Sequence, residues 1–186
     1  MRIVFLGPPG AGKGTQATLL CANKKICHIS TGNILREEVA NGTELGKKAQ
    51  SYMDAGNLVP DDLIIAMIKV RIAHTDCQNG FLFDGFPRTL PQAQALDELL
   101  RDLNKPLTHV IDLAVPEEVL IERIKKRSKE SGRVDDSVEV LTKRLEVYWK
   151  QTAPVSEYYS QSNRLKKVDG LGTVDEVSIR LNSEIC

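Results

Sequence analysis

The sequence predicts an α/β fold in which a five-stranded parallel sheet is covered by helices on both faces. Apolar stretches of strand length alternate with helical patterns along the chain, and this alternation is typical of βαβ units. The first apolar stretch also leads directly into a glycine-rich loop and a helix, which is the order of a phosphate-binding P-loop. The chain has 186 residues, of which 41% are hydrophobic, so we expect a single domain over residues 1–186.

The glycine-rich loop, residues 7–15, follows a predicted strand over residues 2–6 and reads GPPGAGKGT. Glycines let successive backbone N–H groups converge on phosphate oxygens, and Lys13 adds a positive charge for the terminal phosphates. The pattern is GxxxxGK, but Gly14 stands where Ser or Thr normally contacts magnesium. We therefore expect magnesium to be held through phosphates and water.

The second apolar stretch, residues 26–29, ends at the helix-start signal Ser30-Thr31-Gly32. A helix is predicted from Asn33 to Ala40, where Asn41-Gly42 breaks it. The spacing of apolar residues after Thr43 predicts another helix that closes at Ala55-Gly56. Residues 30–59 are therefore predicted to be an inserted helical pair.

Later elements are marked by proline, glycine and apolar patterning. Pro60 is predicted to begin a helix at its first turn, with Leu63, Ile64, Met67, Ile68 and Ile72 as the apolar face. Strands are predicted over residues 81–83, 110–113 and 165–168, and helices over residues 92–103, from Pro116 and from Val174. The strand over residues 81–83 ends in Asp84, as a Walker B strand ends in a carboxylate that faces magnesium.

The segment from Lys125 to Asp136 departs from the helical pattern. Residues 125–133 contain no apolar side chain, so we predict a mobile polar loop between two helices.

The bulk composition excludes several partners. Twenty-five basic residues balance 25 acidic ones, which argues against DNA, RNA or a membrane surface. No apolar run approaches the length of a membrane span and the first strand begins at once, so we expect a cytoplasmic protein. The cysteines lack zinc-type spacing and are expected to be free thiols, and the histidines are expected to be structural or on the surface: Cys21, Cys27, Cys77, Cys186, His28, His74 and His109.

Arginines recur in positions that could converge. Arg123 and Arg127 lie four residues apart and thus on one helix face, Arg133 follows in the polar segment, and Arg144 lies on the next helix. Arg36 lies in the helical pair and Arg88 follows the Asp84 turn. Phosphoryl transfer requires such cations, because the moving group and two nucleotides carry several negative charges.

These motifs resemble those of the adenylate kinases of the short-lid type, over the whole chain. The residues that carry the resemblance are the P-loop, Ser30-Thr31-Gly32, Asp84-Gly85-Phe86-Pro87-Arg88-Thr89, Gly132-Arg133-Val134-Asp135-Asp136 and Val168-Asp169-Gly170. The resemblance implies a monomer that transfers the terminal phosphoryl group of MgATP to AMP, giving two ADP. It also implies that residues 30–59 are an AMP-binding insertion and that residues 126–136 are a short lid without zinc.

Site residues follow from the same resemblance. The ATP site implied is Gly10, Ala11, Gly12, Lys13, Gly14, Thr15, Arg123, Arg127 and Gly172. The AMP site implied is Thr31, Gly32, Arg36, Asn57, Leu58, Val59, Gly85, Phe86, Pro87, Arg88, Gln92, Arg133 and Arg144. The catalytic groups implied are Lys13, Asp84, Arg88, Arg123, Arg127, Arg133 and Arg144, with Asp84 facing magnesium through water. Asn33 replaces the usual Asp after Ser-Thr-Gly, so no charge acts there.

Two rival functions remain open at this level. A UMP/CMP kinase shares the architecture, but Gln92 offers a donor and an acceptor that suit the N6 and N1 edge of adenine, and Thr31 stands where those kinases have Ala. A catalytically silent nucleotide sensor would be expected to lack Lys13 or several arginines, and all are present. A GTPase is disfavoured because the chain has no Asn-Lys-x-Asp motif.

Overall fold

A computed structural model describes residues 1–130 and 136–185. In this part of the chain, five strands form one parallel sheet in the order β2-β3-β1-β4-β5. The strands are β1 (Arg2–Leu6), β2 (Cys27–Ser30), β3 (Phe81–Asp84), β4 (His109–Ala114) and β5 (Leu165–Asp169). The predicted fold class is confirmed.

Helices connect successive strands and cover both faces of the sheet. They are α1 (Lys13–Lys24), α2 (Thr31–Ala40), α3 (Glu44–Asp54), α4 (Asp61–Ile72), α5 (Leu90–Asp102), α6 (Glu117–Glu130), α7 (Val138–Val147), α8 (Ala153–Gln161) and α9 (Val174–Ile185). A 3₁₀ turn covers Thr75–Cys77, and a π-helical turn, Tyr148–Thr152, joins α7 to α8. Within the described residues, every helix is too short or too polar to cross a membrane.

The central strands are apolar throughout because the core lies on both sides of them. In β1, Ile3 and Phe5 pack into one apolar layer, whereas Val4 and Leu6 pack into the other. Successive side chains of a strand point to opposite faces, so a strand covered on both sides loses the alternation of a half-exposed one. Burial of each such side chain contributes about 1.5–3 kcal/mol, which fixes the sheet as the platform for the site.

The predicted helical pair is present as α2 and α3, which pack against each other. Thr43 caps α3 by accepting a hydrogen bond from the backbone N–H of Gly46 at 3.0 Å. Gly46 lies so close to the backbone of Glu38 that no Cβ could be accommodated there. That residues 30–59 act as a separate insertion remains a prediction.

The polar loop predicted from Lys125 was wrong for residues 125–130, which continue α6. Lys, Arg and Glu are strong helix formers, and Ile124, which is buried, anchors the preceding turn. Arg127 also binds Asp136 through two hydrogen bonds, which fixes this part of the helix. Residues 131–135, with the predicted site residue Arg133, lie outside the described residues, as does Cys186.

Candidate active site

A cleft of about 640 Å³ opens at the carboxyl ends of the central strands. Its floor includes the glycine-rich loop after β1 and the turn that begins with Asp84 at the end of β3. Parallel strands bring these two segments together, because β1 and β3 are neighbours and Phe5 is paired with Asp84. The cleft therefore lies where open α/β sheets bind ligands.

The glycine-rich loop turns sharply into α1. Gly12 is the residue before the helix and has a φ of 92°, in the left-handed region that favours glycine. The Lys13 ammonium folds back and donates hydrogen bonds to the carbonyl oxygens of Gly7 at 2.6 Å and Pro8 at 2.9 Å. Burial lowers the pKa of Lys13 to about 8, and the nearby charges of Arg88 and Arg144 act in the same direction against that of Asp84.

Asp84, at the end of β3, lies beside the glycine-rich loop on the floor of the cleft. Burial acts to raise its pKa, but the contact with His28 and the charges of Lys13 and Arg88 act against burial. The pKa therefore lies below its usual range, and the carboxylate is ionised at neutral pH. Its Oδ2 lies 3.5 Å from Nε2 of His28. A Cβ placed on Gly14 would lie 3.6 Å from Oδ2, so the missing side chain of Gly14 leaves space beside the carboxylate.

The described lining of the cleft is strongly cationic although the whole chain carries no formal net charge. One carboxylate, Asp84, faces six cationic side chains: Lys13, Arg36, Arg88, Arg123, Arg127 and Arg144. Such a concentration of one sign in a concave site attracts polyanions and stabilises charge that moves between them.

Two of these arginines are fixed on α6. Arg123 donates to the carbonyl oxygen of Gly170 at 3.1 Å and lies 3.4 Å from that of Ala11, so it ties α6 to the glycine-rich loop. Arg127 forms a two-fold contact with Asp136 at 2.8 and 2.9 Å, and Asp136 lies 3.6 Å from Arg144. Asp136 is buried and does not line the cleft, so this carboxylate orients two guanidinium groups from behind the cleft wall.

The turn after β3 closes the other side of the cleft. The carbonyl oxygen of Gly85 accepts hydrogen bonds from the Thr31 hydroxyl at 2.8 Å and from Nε of Arg88 at 2.7 Å. Gly85 has a φ of 81°, and a Cβ there would lie within 2.9 Å of the Thr31 hydroxyl oxygen. The carbonyl oxygen of Arg88 accepts a hydrogen bond from Thr152 at 2.9 Å. These bonds hold the turn from the side of α2 and from the π-helical turn.

A second, smaller cavity of about 60 Å³ extends from this turn towards α2 and α4. It combines the buried polar side chains of Thr31 and Gln92 with an apolar wall that includes Leu35, Val59 and Ile64. Among the residues that line both cavities are Arg36, Arg88 and Arg144. The apolar wall and the buried polar side chains suit the edge of a flat, mostly apolar group, and the three arginines suit an anionic end of the same ligand.

Most predicted site residues that the structure describes line one of the two cavities. Ala11, Phe86 and Gly172 do not. Ala11 and Phe86 are buried behind the loops to which they belong. Gly172 lies two residues after Gly170, which binds Arg123. Asn33 accepts a hydrogen bond from Arg36 at 2.7 Å, so its amide oxygen supports an arginine without carrying a charge.

Sequence reasoning missed two parts of this site. His28 was expected to be structural or on the surface, but it lines the cleft beside Asp84 because β2 pairs with β3. The π-helical turn contributes Tyr148 and Thr152 to the lining, and such turns are common at functional sites. The position of His28, one residue before the end of a predicted strand, could have indicated that it lies near the cleft. No local pattern indicated the π-helical turn.

Two of the cysteines that the sequence predicts to be free thiols lie close together. Cys27 and Cys77, with Asp76, bring their ligand atoms within 4.8 Å of one another. The guanidinium of Arg71 occupies the position between them and donates hydrogen bonds to both thiols and to the Asp76 carboxylate. The guanidinium of Arg71 thus supplies the positive charge in this cluster. All the cysteines that the structure describes are free thiols.

Comparison with known proteins places these features in one family. A sequence profile of the family described as "Adenylate kinase" matches residues 5–164. The chain is similar to an adenylate kinase of Stenotrophomonas maltophilia (strain K279a), with 51% identity over 185 residues that cover 100% of this chain and 99% of that protein. It is 49% identical to an adenylate kinase of Bifidobacterium longum (strain NCC 2705), over 100% of both chains. It is 50% identical to one of Thermobifida fusca (strain YX), over 97% of this chain and 95% of that one.

Proposed function

The chain belongs to the adenylate kinase family, and on that premise we propose how its cleft transfers the terminal phosphoryl group of MgATP to AMP, giving two ADP. It is a nucleoside monophosphate kinase, and family membership does not favour a UMP/CMP kinase or a silent sensor. The observation that carries the residue roles is that Arg36, Arg88 and Arg144 line both cavities. Two nucleotides bound on either side of these arginines would meet through their phosphates.

The donor half is the glycine-rich loop with α6. Backbone N–H groups of residues 10–15 and the ammonium of Lys13 hold the ATP phosphates, while Arg123 and Arg127 approach from α6. In the free protein the Lys13 ammonium donates to Gly7 and Pro8, and incoming phosphates replace these carbonyl oxygens with stronger, anionic acceptors. Gly172, which lies near the Arg123 contact, is assigned to the donor base through its backbone.

The acceptor half is the smaller cavity and the turn after β3. Arg36 and Arg88 bind the AMP phosphate, and the base enters between the apolar wall and Gln92. Further contacts to AMP are assigned to Thr31, Gly32, Asn57, Leu58, Val59, Gly85, Phe86 and Pro87. Arg144 lies between the halves, where Arg133 is also assigned.

The residues present fit a magnesium ion that arrives with ATP. Magnesium prefers hard oxygen ligands and retains water, and the ionised Asp84 faces the cleft beside the space that Gly14 leaves. Asp84 would hold the ion through water, and the ion would neutralise charge on the β- and γ-phosphates. No protein zinc site is proposed.

The transfer requires no general base, because the accepting atom of AMP is an anionic phosphate oxygen. The protein therefore contributes alignment and charge stabilisation. Arg88 and Arg36 present the acceptor oxygen in line, and Lys13, Arg123, Arg127 and Arg144 stabilise the phosphoryl group as it moves. Removal of one such preorganised donor typically lowers kcat by a factor of about 10²–10³.

We further propose that the chain acts as a cytoplasmic monomer, independent of nucleic acid and membrane. The described residues of one chain supply the lining of both cavities, which supports function without a second subunit. Sedimentation during turnover tests this, and activity confined to a dimer would contradict it.

Steady-state transfer from ATP to AMP, CMP and UMP tests the acceptor assignment. We expect kcat/KM to be highest for AMP, and Gln92→Ala to raise the KM for AMP more than that for ATP because Gln92 lines only the smaller cavity. Comparable kcat/KM values for all three acceptors, or equal effects of Gln92→Ala on ATP and AMP, would contradict the assignment.

A further inference from the structure

The amide of Gln92 is held between a carboxylate and a backbone N–H. Its Nε2 donates to Oδ1 of Asp61 at 2.7 Å, and its Oε1 accepts from the backbone N–H of Arg88 at 2.7 Å. Asp61 is the first residue of α4 and is partly buried, but it lines neither cavity. Asp61 can therefore affect a ligand in the small cavity through Gln92 rather than by contact.

These two bonds determine which way the amide points. A backbone N–H can only donate, so its partner must be the amide oxygen, and a carboxylate can only accept, so its partner must be the amide nitrogen. The usual ambiguity between the oxygen and nitrogen of a glutamine side chain is thereby removed. Within the described residues, Gln92 is left with one N–H and one oxygen lone pair for a ligand.

The same carboxylate also fixes the start of α5. Its Oδ2 accepts from the Thr89 hydroxyl at 2.9 Å, and that hydroxyl oxygen accepts from the backbone N–H of Gln92 at 3.2 Å. Thr89 is thus oriented as the N-cap of α5 by the carboxylate that orients the Gln92 side chain. Both the backbone and the amide of Gln92 depend on Asp61.

We propose that Asp61 is a positioning residue that sets the acceptor base specificity. With its orientation fixed, Gln92 presents an N–H to an acceptor nitrogen and an oxygen to an amino group, which matches N1 and the 6-amino group of adenine. This inference rests on the proposed binding of AMP in the small cavity. A base with a carbonyl in place of the amino group would face the Gln92 oxygen with no hydrogen between them.

The test compares AMP with purine riboside 5′-monophosphate, which lacks the 6-amino group and keeps N1. We expect the wild-type protein to favour AMP by about tenfold in kcat/KM, the effect of one well-placed hydrogen bond. In Asp61→Ala the preference falls to about twofold, mainly through a higher KM for AMP, while the KM for ATP is unchanged. A general structural defect would lower kcat/KM for both acceptors together and leave their ratio intact.

Two further variants isolate the role of Asp61. Asp62→Ala removes the neighbouring exposed carboxylate from the same first helical turn, so it reproduces the loss of charge at the start of α4 and should keep the wild-type preference. Asp61→Asn keeps an oxygen for Gln92 and supplies an N–H to the Thr89 hydroxyl, so it should restore most of the preference. If Asp61→Ala does not fold, Asp61→Glu, which displaces the carboxylate by one methylene, carries the same test.

The outcomes separate this inference from the proposed function. A wild-type protein that transfers phosphate to neither acceptor overturns the proposed function and this inference with it. A wild-type protein that uses both acceptors equally overturns this inference alone, because Gln92 then does not recognise the 6-amino group. If the wild type prefers AMP but Asp61→Ala or Asp61→Glu keeps the same preference as Asp62→Ala, the role of Asp61 is overturned and the proposed function stands. A loss in Asp61→Asn as large as that in Asp61→Ala also overturns it.

Discussion

Binding of ATP is expected to take up a proton at alkaline pH, and the proton is expected to go to Lys13. The pKa of Lys13 is lowered from 10.5 to about 8 in the free protein. Each pKa unit corresponds to about 1.4 kcal/mol, so the free protein disfavours the charged ammonium by about 3 kcal/mol relative to a lysine in water. Burial is the main cause, and the phosphates of ATP supply the negative charge that reverses it.

The size of the uptake follows from the pKa of about 8. At pH 7 the free protein is already about 90% charged at Lys13, so binding takes up about 0.1 proton. At pH 9 it is about 10% charged, so binding takes up about 0.9 proton and the apparent affinity for ATP is about tenfold weaker than at pH 7. The second ionisation of a phosphate, near pKa 6, is about 90% complete at pH 7 and complete at pH 9, so it changes the difference between the two pH values by at most about 0.1 proton.

Titration calorimetry in two buffers with different ionisation enthalpies measures this uptake directly. Lys13→Arg is the matched control, because arginine remains charged at both pH values and should show no extra uptake at pH 9. An uptake at pH 9 that does not exceed the value at pH 7, or that persists in Lys13→Arg, would refute the reasoning.

Three further predictions concern the cleft and the thiols. Arg88→Ala should lower kcat/KM about 100-fold with little change in Tm, whereas Arg101→Ala, which removes an exposed arginine from α5, should leave kcat/KM unchanged; near-normal turnover would remove Arg88 from the site. Two adenosines joined by five phosphates should span both cavities and, at about a thousand times the dissociation constant, add about 4 kcal/mol to the free energy of unfolding, or about 8–16 °C in Tm. At equal free concentration ATP should give a smaller shift, and equal shifts would contradict a two-nucleotide cleft. Burial raises the pKa of Cys27 and Cys77, so a thiol reagent at pH 8 should label neither until the chain unfolds; rapid labelling of the native protein, located by peptide mapping, would contradict their burial.

Local sequence patterns were sufficient to predict those elements that are formed by one continuous stretch of chain. The strand, loop and first helix around Lys13 were predictable because the apolar run, the glycines and the helix start are adjacent in the sequence. Asp84 was predictable for the same reason, as the last residue of a short apolar strand. The prediction failed at residues 125–130, because it relied on the absence of apolar side chains. The high helix propensity of Lys, Arg and Glu in this stretch should have had more weight.

The sequence by itself determined the α/β class and the strand, glycine-rich loop and helix around Lys13, because these depend on periodicity and on neighbouring residues. The tertiary structure alone decided that His28 faces Asp84, that Arg71 lies between two cysteines, and that Asp61 holds Gln92. Each of these contacts joins residues more than 30 positions apart, apart from the local Arg71–Cys77 bond. Their formation depends on strand order and helix packing, and no local propensity encodes which distant side chains those arrangements bring together.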